Sequence, residues 1–470
     1  MELLVGAMLG ILGLLLWISF LQKTAQKGNL PPGSMGWPLL GKTVEFSLAL
    51  SSKTPDSFIE KHRKVYGDLF KTHLFGHPTI ISLDPQVNKF VLQNEGRYFT
   101  ASYPKSFVDL FGKNSMLAAT GEMHKSQRNA TLNFLYSKNS RQKHISDVES
   151  YLHMAMSSWR DRVVLVEPEA KKFAFCVIMN TLLSLSWGEE LKQMMSDFHL
   201  LLEGSLSVRL TLVPCSAYRK AIKARKNLVE KLHSIAEKRR KEKESSHDDM
   251  LQFLLLRSNA EGKDQPFSDE ELVDQMIFLL SAGHDTVASA ITSTVNLLMQ
   301  FPESLTQLRD EHFSILKCKQ PGQPLSWDDY KSMQFTQQVV NEVLRMTNVG
   351  FGVFRTAIED IQIKGYAIPK GWKFLTYLRS AHLQDENYPE PTRFNPWRWQ
   401  DQNKVNVAFM PFGDGKRKCV GSEFARLELS IFIHFLVTRF RSWELVEHDY
   451  IRYFPIPHTG KGFPIKLENF

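Results

Sequence analysis

Cysteine is scarce in this sequence: the 470 residues contain four, which lie far apart at positions 176, 215, 318 and 419. Disulfide scaffolds are dense in cysteine and zinc modules pair their cysteines closely, so this spacing excludes both. Charge of one sign is also limited, since 58 Lys and Arg face 50 Asp and Glu and leave a net charge of +8. That excess is modest for the length and does not imply nucleic-acid binding.

The mean hydropathy of −0.25 excludes a protein with many membrane spans. One uncharged run stands out, Leu3 to Leu21, whose 19 residues suffice to cross a bilayer core of about 30 Å as a helix. Lys23 and Lys27 follow it, which favours a cytosolic location for the rest of the chain. We predict a transmembrane anchor over residues 1–22, with a cleaved signal peptide as the alternative. Residues 23–41, basic and rich in Pro and Gly, predict a hinge.

The remaining sequence predicts a mainly α-helical protein with small β-sheets, an α+β class. Its 43% hydrophobic residues and 32 Phe can form a large core and exclude wholesale disorder. Leu69–Leu83 and Ile361–Phe374 are typical of short strands, and the patterns between residues 84 and 345 are mostly helical. Ser268 and Glu271 form a capping box that begins an apolar helix extending to about Gln300. So long and so apolar a helix belongs in the centre of a domain.

The most specific feature is Phe412-Gly413-Asp414-Gly415-Lys416-Arg417-Lys418-Cys419-Val420-Gly421, which leads directly into the predicted last helix. Two glycines permit a tight turn whose backbone amides can face one sulfur. Cys419 lies close to a helix N-terminus, where the amides and the helix dipole favour a thiolate. Arg417 can pair with a nearby acidic group. The alternative is an ordinary buried Cys beside a turn.

This segment resembles the haem-binding loop of the cytochrome P450 superfamily, in which the Cys thiolate is the axial ligand of the haem iron. Ala282–Thr286, Glu342–Arg345 and Pro391–Trp399 resemble further family motifs in the same order. The resemblance implies the cytochrome P450 fold, with haem b between the long central helix and the Cys loop. Because the motifs converge on one cofactor, residues 42–470 are predicted to form a single catalytic domain.

The resemblance also implies which residues contact the haem. His124 and Arg128 lie on one helix face and, with Arg355, are predicted to bind the propionates; His124 stands where the family usually has Trp. The alternative is that His124 and Arg128 are surface residues of an ordinary helix. Asp414 stands where relatives more often carry a small residue. The predicted haem-binding residues are His124, Arg128, Ala282, Gly283, Arg355, Phe412, Gly415, Arg417, Cys419 and Gly421.

Two further groups have family roles. Glu342, Arg345 and Arg393 are predicted to form a buried structural triad. Asp285 and Thr286 are predicted to be catalytic, relaying protons to the bound oxygen through water. The alternative for Thr286 is a hydrogen bond back to a carbonyl of its own helix, and both can hold together.

The sequence lacks a glycine-rich nucleotide fingerprint, so its electrons are predicted to come from a separate reductase, which the resemblance implies is NADPH-cytochrome P450 reductase. Lys125, Lys416 and Lys418 suit docking of that acidic flavoprotein, with ordinary solvated charge as the alternative. With the anchor, this predicts a single-pass protein of the endoplasmic reticulum membrane whose catalytic domain faces the cytosol.

By family position the substrate pocket is mostly apolar, which predicts a large lipophilic substrate. Its predicted residues are Ser115, Met116, Leu117, Leu280, Val349, Val353 and Ile456, together with residues 206–213. Several segments, among them Ala217–Ala221 and Phe394–Trp399, resemble plant steroid hydroxylases. They predict hydroxylation of a phytosterol side chain at C-22 in brassinosteroid biosynthesis. The alternatives are a triterpenoid or diterpenoid oxidase, a non-oxygenating haem-thiolate isomerase, a haem-binding carrier and a haem-free membrane scaffold.

Overall fold

The computed structural model describes residues 28–470 except 38–39, 161, 206, 208–215, 243–246, 260–266, 402–406 and 454–455, together with Gly10 and Gly13. The predicted anchor therefore lies outside the described residues apart from those two glycines. Within the described ranges, no helix combines the length and the hydrophobicity that a membrane crossing requires.

Helices dominate the described chain. The first eight are α1 (Thr43–Leu50), α2 (Ser57–Tyr66), α3 (Pro85–Gln93), α4 (Lys105–Phe111), α5 (Gly121–Leu135), α6 (Lys138–Ser157), α7 (Val166–Leu183) and α8 (Glu189–Ser205). They are followed by α9 (Ala217–Lys241), α10 (Met250–Asn259), α11 (Asp269–Gln300), α12 (Pro302–Lys317), α13 (Trp327–Ser332), α14 (Gln334–Thr347), α15 (Leu378–His382) and α16 (Ser422–Arg439). Two 3₁₀ turns cover Pro396–Trp399 and Gly415–Arg417. The predicted helical class is confirmed.

The strands are short and form small sheets, as predicted. They are β1 (Leu69–Leu74), β2 (His77–Ser82), β3 (Phe99–Ala101), β4 (Val163–Leu165), β5 (Val353–Ala357), β6 (Ile361–Ile363), β7 (Tyr366–Ile368), β8 (Lys373–Thr376), β9 (Phe440–Leu445), β10 (Ile451–Arg452), β11 (His458–Thr459) and β12 (Pro464–Asn469). One sheet has five strands in the order β1-β2-β8-β5-β3, and another has three in the order β4-β12-β9. The pairs β6-β7 and β10-β11 complete them.

Residues 69–83 are predicted to form two strands that turn at Gly76-His77-Pro78. The two strands pair, Leu69 with Ser82, but the turn is Phe75-Gly76, and His77 and Pro78 belong to β2. Pro78 lies inside β2, which also pairs with β8. Pairing with β8 begins only at Thr79, so the missing amide of Pro78 interrupts no hydrogen bond to that neighbour.

Helix α11 is the central element of the fold. The predicted capping box is present: the Ser268 hydroxyl accepts from the amide of Glu271 at 3.2 Å, and the Glu271 carboxylate accepts from the amide of Ser268 at 2.8 Å. The first half of the helix packs into one apolar cluster with α5, α7, α8 and α9, and the second half into another with α6, α14 and α16. Gly283 lies at the close contact with α7, where a Cβ would stand 2.9 Å from Cδ1 of Ile178.

The sequence pattern predicts loops at residues 238–249 and 379–403, but both segments contain helix. Helix α9 continues to Lys241, into the stretch 238–249, because its four final basic residues stabilise the C-terminal end of the helix dipole. Arg239 is also buried there, 2.6 Å from Asp249. The stretch 379–403 contains most of α15 and the 3₁₀ turn Pro396–Trp399.

Candidate active site

A cavity of about 370 Å³ lies between α11 and the Cys loop, the segment Phe412–Gly421 that contains Cys419. Helix α11 contributes Ala282, Gly283 and Thr286 to its wall, and the loop segment contributes, among others, Phe412 and Cys419. The structure thus brings together two motifs that are more than a hundred residues apart in the sequence.

The Cys loop is fixed by contacts with the end of α3. Gly415 has a φ of +70°, and a Cβ there would lie 2.3 Å from the carbonyl oxygen of Leu92. Asp414 accepts hydrogen bonds from the amide of Gly415 at 2.7 Å and from the side-chain amide of Gln93 at 3.0 Å. Asp414 therefore caps the 3₁₀ turn of the loop and ties it to α3, which explains a residue whose role the sequence left open.

Cys419 lines the cavity, and it therefore has accessible surface although protein surrounds it. Its amide donates to the carbonyl of Phe412 at 3.0 Å. Burial raises the pKa of the Cys419 thiol, against the opposing effects of the Gly421 amide and the charges of Arg128 and Lys418. A metal ion at the sulfur would reverse this preference, because a coordinating thiol is deprotonated.

A positively charged cluster lies at one side of the cavity, with Arg355 and Arg417 in the cavity wall. Arg355 lies 3.0 Å and Arg417 2.8 Å from opposite oxygens of Glu95, and Arg128 donates to the carbonyl of Lys418 at 2.5 Å. His124 is buried beside them. Burial and the charges of Arg417, Arg128 and Arg355 lower the pKa of His124 to about 4, so its ring is neutral at pH 7. Three guanidinium groups against one carboxylate leave the cluster at +2.

These features fit haem. A sulfur in the wall of an enclosed cavity can ligate iron. A partly buried charge of +2 is unfavourable without a counter-charge, and the two propionates of a haem supply one of matching size. Glu95 was missed by the sequence analysis, because only the fold brings it to Arg355 and Arg417.

Asp285 and Thr286 are adjacent in the chain but face different surroundings. The Thr286 hydroxyl lines the cavity and donates to the carbonyl of Ala282 at 2.7 Å, so the hydrogen bond within the helix is present. Asp285 lies outside the cavity wall, with Oδ1 2.9 Å from Nδ1 of the fully buried His284. Burial would raise the pKa of Asp285, but His284, Lys171 and His199 outweigh it and hold that pKa below its usual value.

The predicted structural triad is wrong in one member. Glu342 and Arg345 form a buried two-point ion pair at 2.9 and 2.8 Å. The third partner is Arg398, whose Nε lies 3.0 Å from Glu342, and Trp399 donates to the same carboxylate at 2.9 Å. The side chain of Arg393 is 59% exposed, and its contact with the pair is a 3.4 Å hydrogen bond from Arg345 to its backbone carbonyl.

The reason lies in the 3₁₀ turn Pro396–Trp399, which directs Arg398 and Trp399 at Glu342. Pro391-Thr392-Arg393-Phe394 and Pro396-Trp397-Arg398-Trp399 have the same Pro-x-Arg-aromatic pattern. The predicted triad takes its second arginine from the first of the two segments, whereas the buried arginine belongs to the second.

The predicted substrate pocket agrees with the cavity at two positions, Val349 and Val353. The structure does not place Ser115, Met116, Leu117, Leu280 or Ile456 in the cavity wall. Residues 206–213 lie outside the described residues apart from Ser207.

Four of the predicted pocket residues that are not in the cavity wall have other contacts. The Ser115 hydroxyl donates to the carbonyl of Gly112, and the carbonyls of Met116 and Leu117 accept from Arg417. Leu280 packs into the apolar cluster of α7 and α8, while its neighbour Leu279 faces the cavity.

Glu428 is a second residue that the sequence analysis missed. It lies in α16, lines the cavity and is 2% exposed. Burial raises the pKa of its carboxyl to about 8, so the group is mainly protonated at pH 7. A single acidic residue inside the apolar run Leu427–Val437 was the signal that could have revealed it.

Comparisons with known proteins agree with this geometry. The model of the cytochrome P450 family matches residues 31–457. A 3beta,22alpha-dihydroxysteroid 3-dehydrogenase of Arabidopsis thaliana is 43% identical, covering 93% of this chain and 92% of the relative. An abietadienol/abietadienal oxidase of Pinus taeda is 39% identical (94% and 91%), and a cholesterol 22-monohydroxylase of Paris polyphylla is 38% identical (97% and 97%).

Among solved structures, the retinoic acid-bound cyanobacterial CYP120A1 superposes with a TM-score of 0.83 at 28% identity. The match covers 94% of this chain and all of that one. The fold and the cavity beside Cys419 agree with the family match, which extends over most of the chain. The chain therefore belongs to the cytochrome P450 family.

Proposed function

We propose that the chain hydroxylates a steroid, at C-22 of a phytosterol side chain in brassinosteroid biosynthesis, using O₂ and electrons from NADPH-cytochrome P450 reductase. Its family and its monooxygenase-named relatives make it an oxidoreductase that incorporates oxygen. The observation that supports a steroid is the set of relatives at 36–38% identity named for 22-hydroxylation of cholesterol, which span most of this chain. The apolar wall of the cavity suits such a substrate.

Haem b, when bound, supplies the activation of O₂ that permits insertion of one oxygen atom into a C–H bond. Cys419 would ligate its iron, and Arg128, Arg355 and Arg417 would hold its propionates. Val349 and Val353, on the wall of the cavity, would orient the lipophilic substrate and exclude water.

Thr286 is the proposed link in a water-mediated proton relay, because its hydroxyl lines the cavity wall and can accept a hydrogen bond from a water molecule there. Its bond to Ala282 orients the hydroxyl without consuming its acceptor capacity. Asp285 would exchange protons with Thr286 from the far side of the helix through water. Because His284 favours the ionised form of Asp285, the Asp285 carboxylate can accept a proton from solvent.

The proposed docking face for the reductase contains Lys125, Lys416 and Lys418, all of which are exposed. Lys416 and Lys418 flank the loop that carries the sulfur, so an acidic partner there would lie close to the haem. Residues 1–22 would anchor the protein in the endoplasmic reticulum membrane with this face in the cytosol. Protease protection of the full chain in sealed microsomes tests that orientation: a protected catalytic domain would refute it.

The reduced carbon monoxide spectrum tests thiolate ligation, with Cys419→Ser as the matched variant expected to lose it. Turnover with the reductase would then compare a C-22-unsubstituted phytosterol, cholesterol and an abietane diterpenol, with products identified by mass spectrometry and NMR. We expect a C-22 alcohol from the sterols. Oxidation of the diterpenol alone would favour the second candidate, a diterpenoid oxidase, which the 39% identical Pinus taeda relative supports. No sterol or diterpenol product would refute both.

A further inference from the structure

Glu95 is fixed at a junction between α3 and β3. Its backbone belongs to a tight turn in which the amide of Gly96 donates to the carbonyl of Phe99 at 2.7 Å. Its Oε1 accepts from the amide of Ala101 at 3.1 Å. The residue is 7% exposed, so its carboxylate is both buried and held in place.

This carboxylate is shared by two arginines from distant parts of the chain. Arg417 of the Cys loop lies 2.8 Å from Oε1, and Arg355 of β5 lies 3.0 Å from Oε2. Both guanidinium groups are themselves buried, with side chains 6% and 2% exposed. Without Glu95, two buried like charges would stand next to each other.

The other contacts of the two arginines are neutral. Arg417 donates to the carbonyls of Met116, Leu117 and Ala119 at 3.3, 3.1 and 2.5 Å, and Arg355 donates to the carbonyl of Phe354 at 3.0 Å. Among the described residues, Glu95 is the carboxylate that forms an ion pair with each arginine. Glu95 is therefore the counter-ion of both arginines and reduces the charge of the cluster from +3 to the +2 that two propionates can neutralise.

We propose that Glu95 is a positioning residue for haem: a permanent counter-ion that holds Arg355 and Arg417 ready for the propionates and sets the charge next to them. The inference rests on haem binding, which the proposed function also requires. It predicts that Glu95 governs two properties of the haem-loaded protein, the rate of haem release and the midpoint potential of the iron.

The test uses haem-loaded Glu95→Gln. A carboxamide has one oxygen and adds two N–H donors, so it can accept from one arginine and must present donors to the other. Transfer of haem to excess apomyoglobin should become faster by about tenfold or more, the size typical of lost partners behind a metal site. The midpoint potential should move to more positive values, because a negative charge near the haem has been removed.

Two matched variants separate positioning from general effects. Glu122→Gln makes the same chemical change on α5, where Glu122 is 89% exposed and pairs with Lys125; it should leave both the release rate and the potential unchanged. Glu95→Asp keeps the charge but shortens the side chain, so the potential should stay at the wild-type value while release is faster than in the wild type.

The inference is overturned if Glu95→Gln shows wild-type release and potential, including the case in which only its melting temperature falls. If Glu95→Gln yields no haem-loaded protein, Glu95→Asp decides, and wild-type release from it refutes the proposal. Failure of the proposed function is visible separately, because a wild-type protein without thiolate-ligated haem would lack the characteristic carbon monoxide spectrum.

Discussion

Replacing Arg398 with methionine removes one of the two cations that contact the buried carboxylate of Glu342 and keeps most of the side-chain volume. Arg398 is 11% exposed and lies 3.0 Å from that carboxylate. Hydrogen bonds to charged groups contribute about 1.5–3 kcal/mol, and breaking a buried pair costs about 3–5 kcal/mol. Because Glu342 keeps Arg345 and the indole N–H of Trp399, we expect a loss near the lower end, about 3 kcal/mol.

Arg393→Met is the matched control, five residues earlier in the same Pro-x-Arg-aromatic pattern. Arg393 is 59% exposed and lies 3.5 Å from the exposed Glu390, so its substitution should cost less than about 1 kcal/mol. Its backbone carbonyl, which accepts from Arg345, is unaffected by the substitution.

The measurement is urea unfolding of the two variants at one protein concentration, followed by the Soret band and by tryptophan fluorescence. The yield of haem-loaded protein gives a second readout, which does not depend on reversible unfolding. Equal losses in the two variants, or a larger loss in Arg393→Met, would show that the assignment of Arg398 to the buried network is wrong.

Substitutions at three other positions test separate parts of the site. Thr286→Ala should lower the product formed per NADPH, which is the coupling, and increase peroxide release without weakening substrate binding. Thr286→Ser should restore the coupling. Unchanged coupling in Thr286→Ala would exclude the relay. The pKa of Glu428 is raised from 4.5 to about 8 in the folded chain, so the folded state binds the extra proton and wild-type stability should fall as the pH rises through that interval. Glu428→Gln should flatten this part of the urea-midpoint profile, and an unchanged slope would contradict the burial of the carboxyl. Gly415→Ala should lose most haem loading, because a φ of +70° costs about 1–2 kcal/mol for alanine and the added Cβ would collide with Leu92. Full haem loading in Gly415→Ala would contradict the contact between the Cys loop and α3.

Features predicted correctly from the sequence depend on neighbouring residues. The capping box of Ser268 and Glu271 is complete within four residues, and its geometry follows from side-chain chemistry at a helix start. The hairpin of β1 and β2 needs only a turn residue between two apolar segments. For both features the local sequence pattern predicts the observed structure, because no contact with a distant segment is needed to select one conformation.

The choice between Arg393 and Arg398 could not be made in this way. Both arginines have the same local pattern, and the buried one is selected by the orientation of a 3₁₀ turn against α14. Glu95 is a clearer case, since it is 322 residues from Arg417 and no residue near it in the sequence indicates that the two form an ion pair. Sequence spacing alone does not determine which charges meet across such distances.

The Cys loop combines both kinds of information. Its residues specify a turn that presents a sulfur, but three distant segments determine where that sulfur lies. They are α3 through Gln93, the α3–β3 turn through Glu95, and α5 through Arg128. Each of these segments contacts a different part of the loop. Since Arg417, which pairs with Glu95, also lines the cavity, one of the interactions that place the sulfur also sets the charge available to a haem.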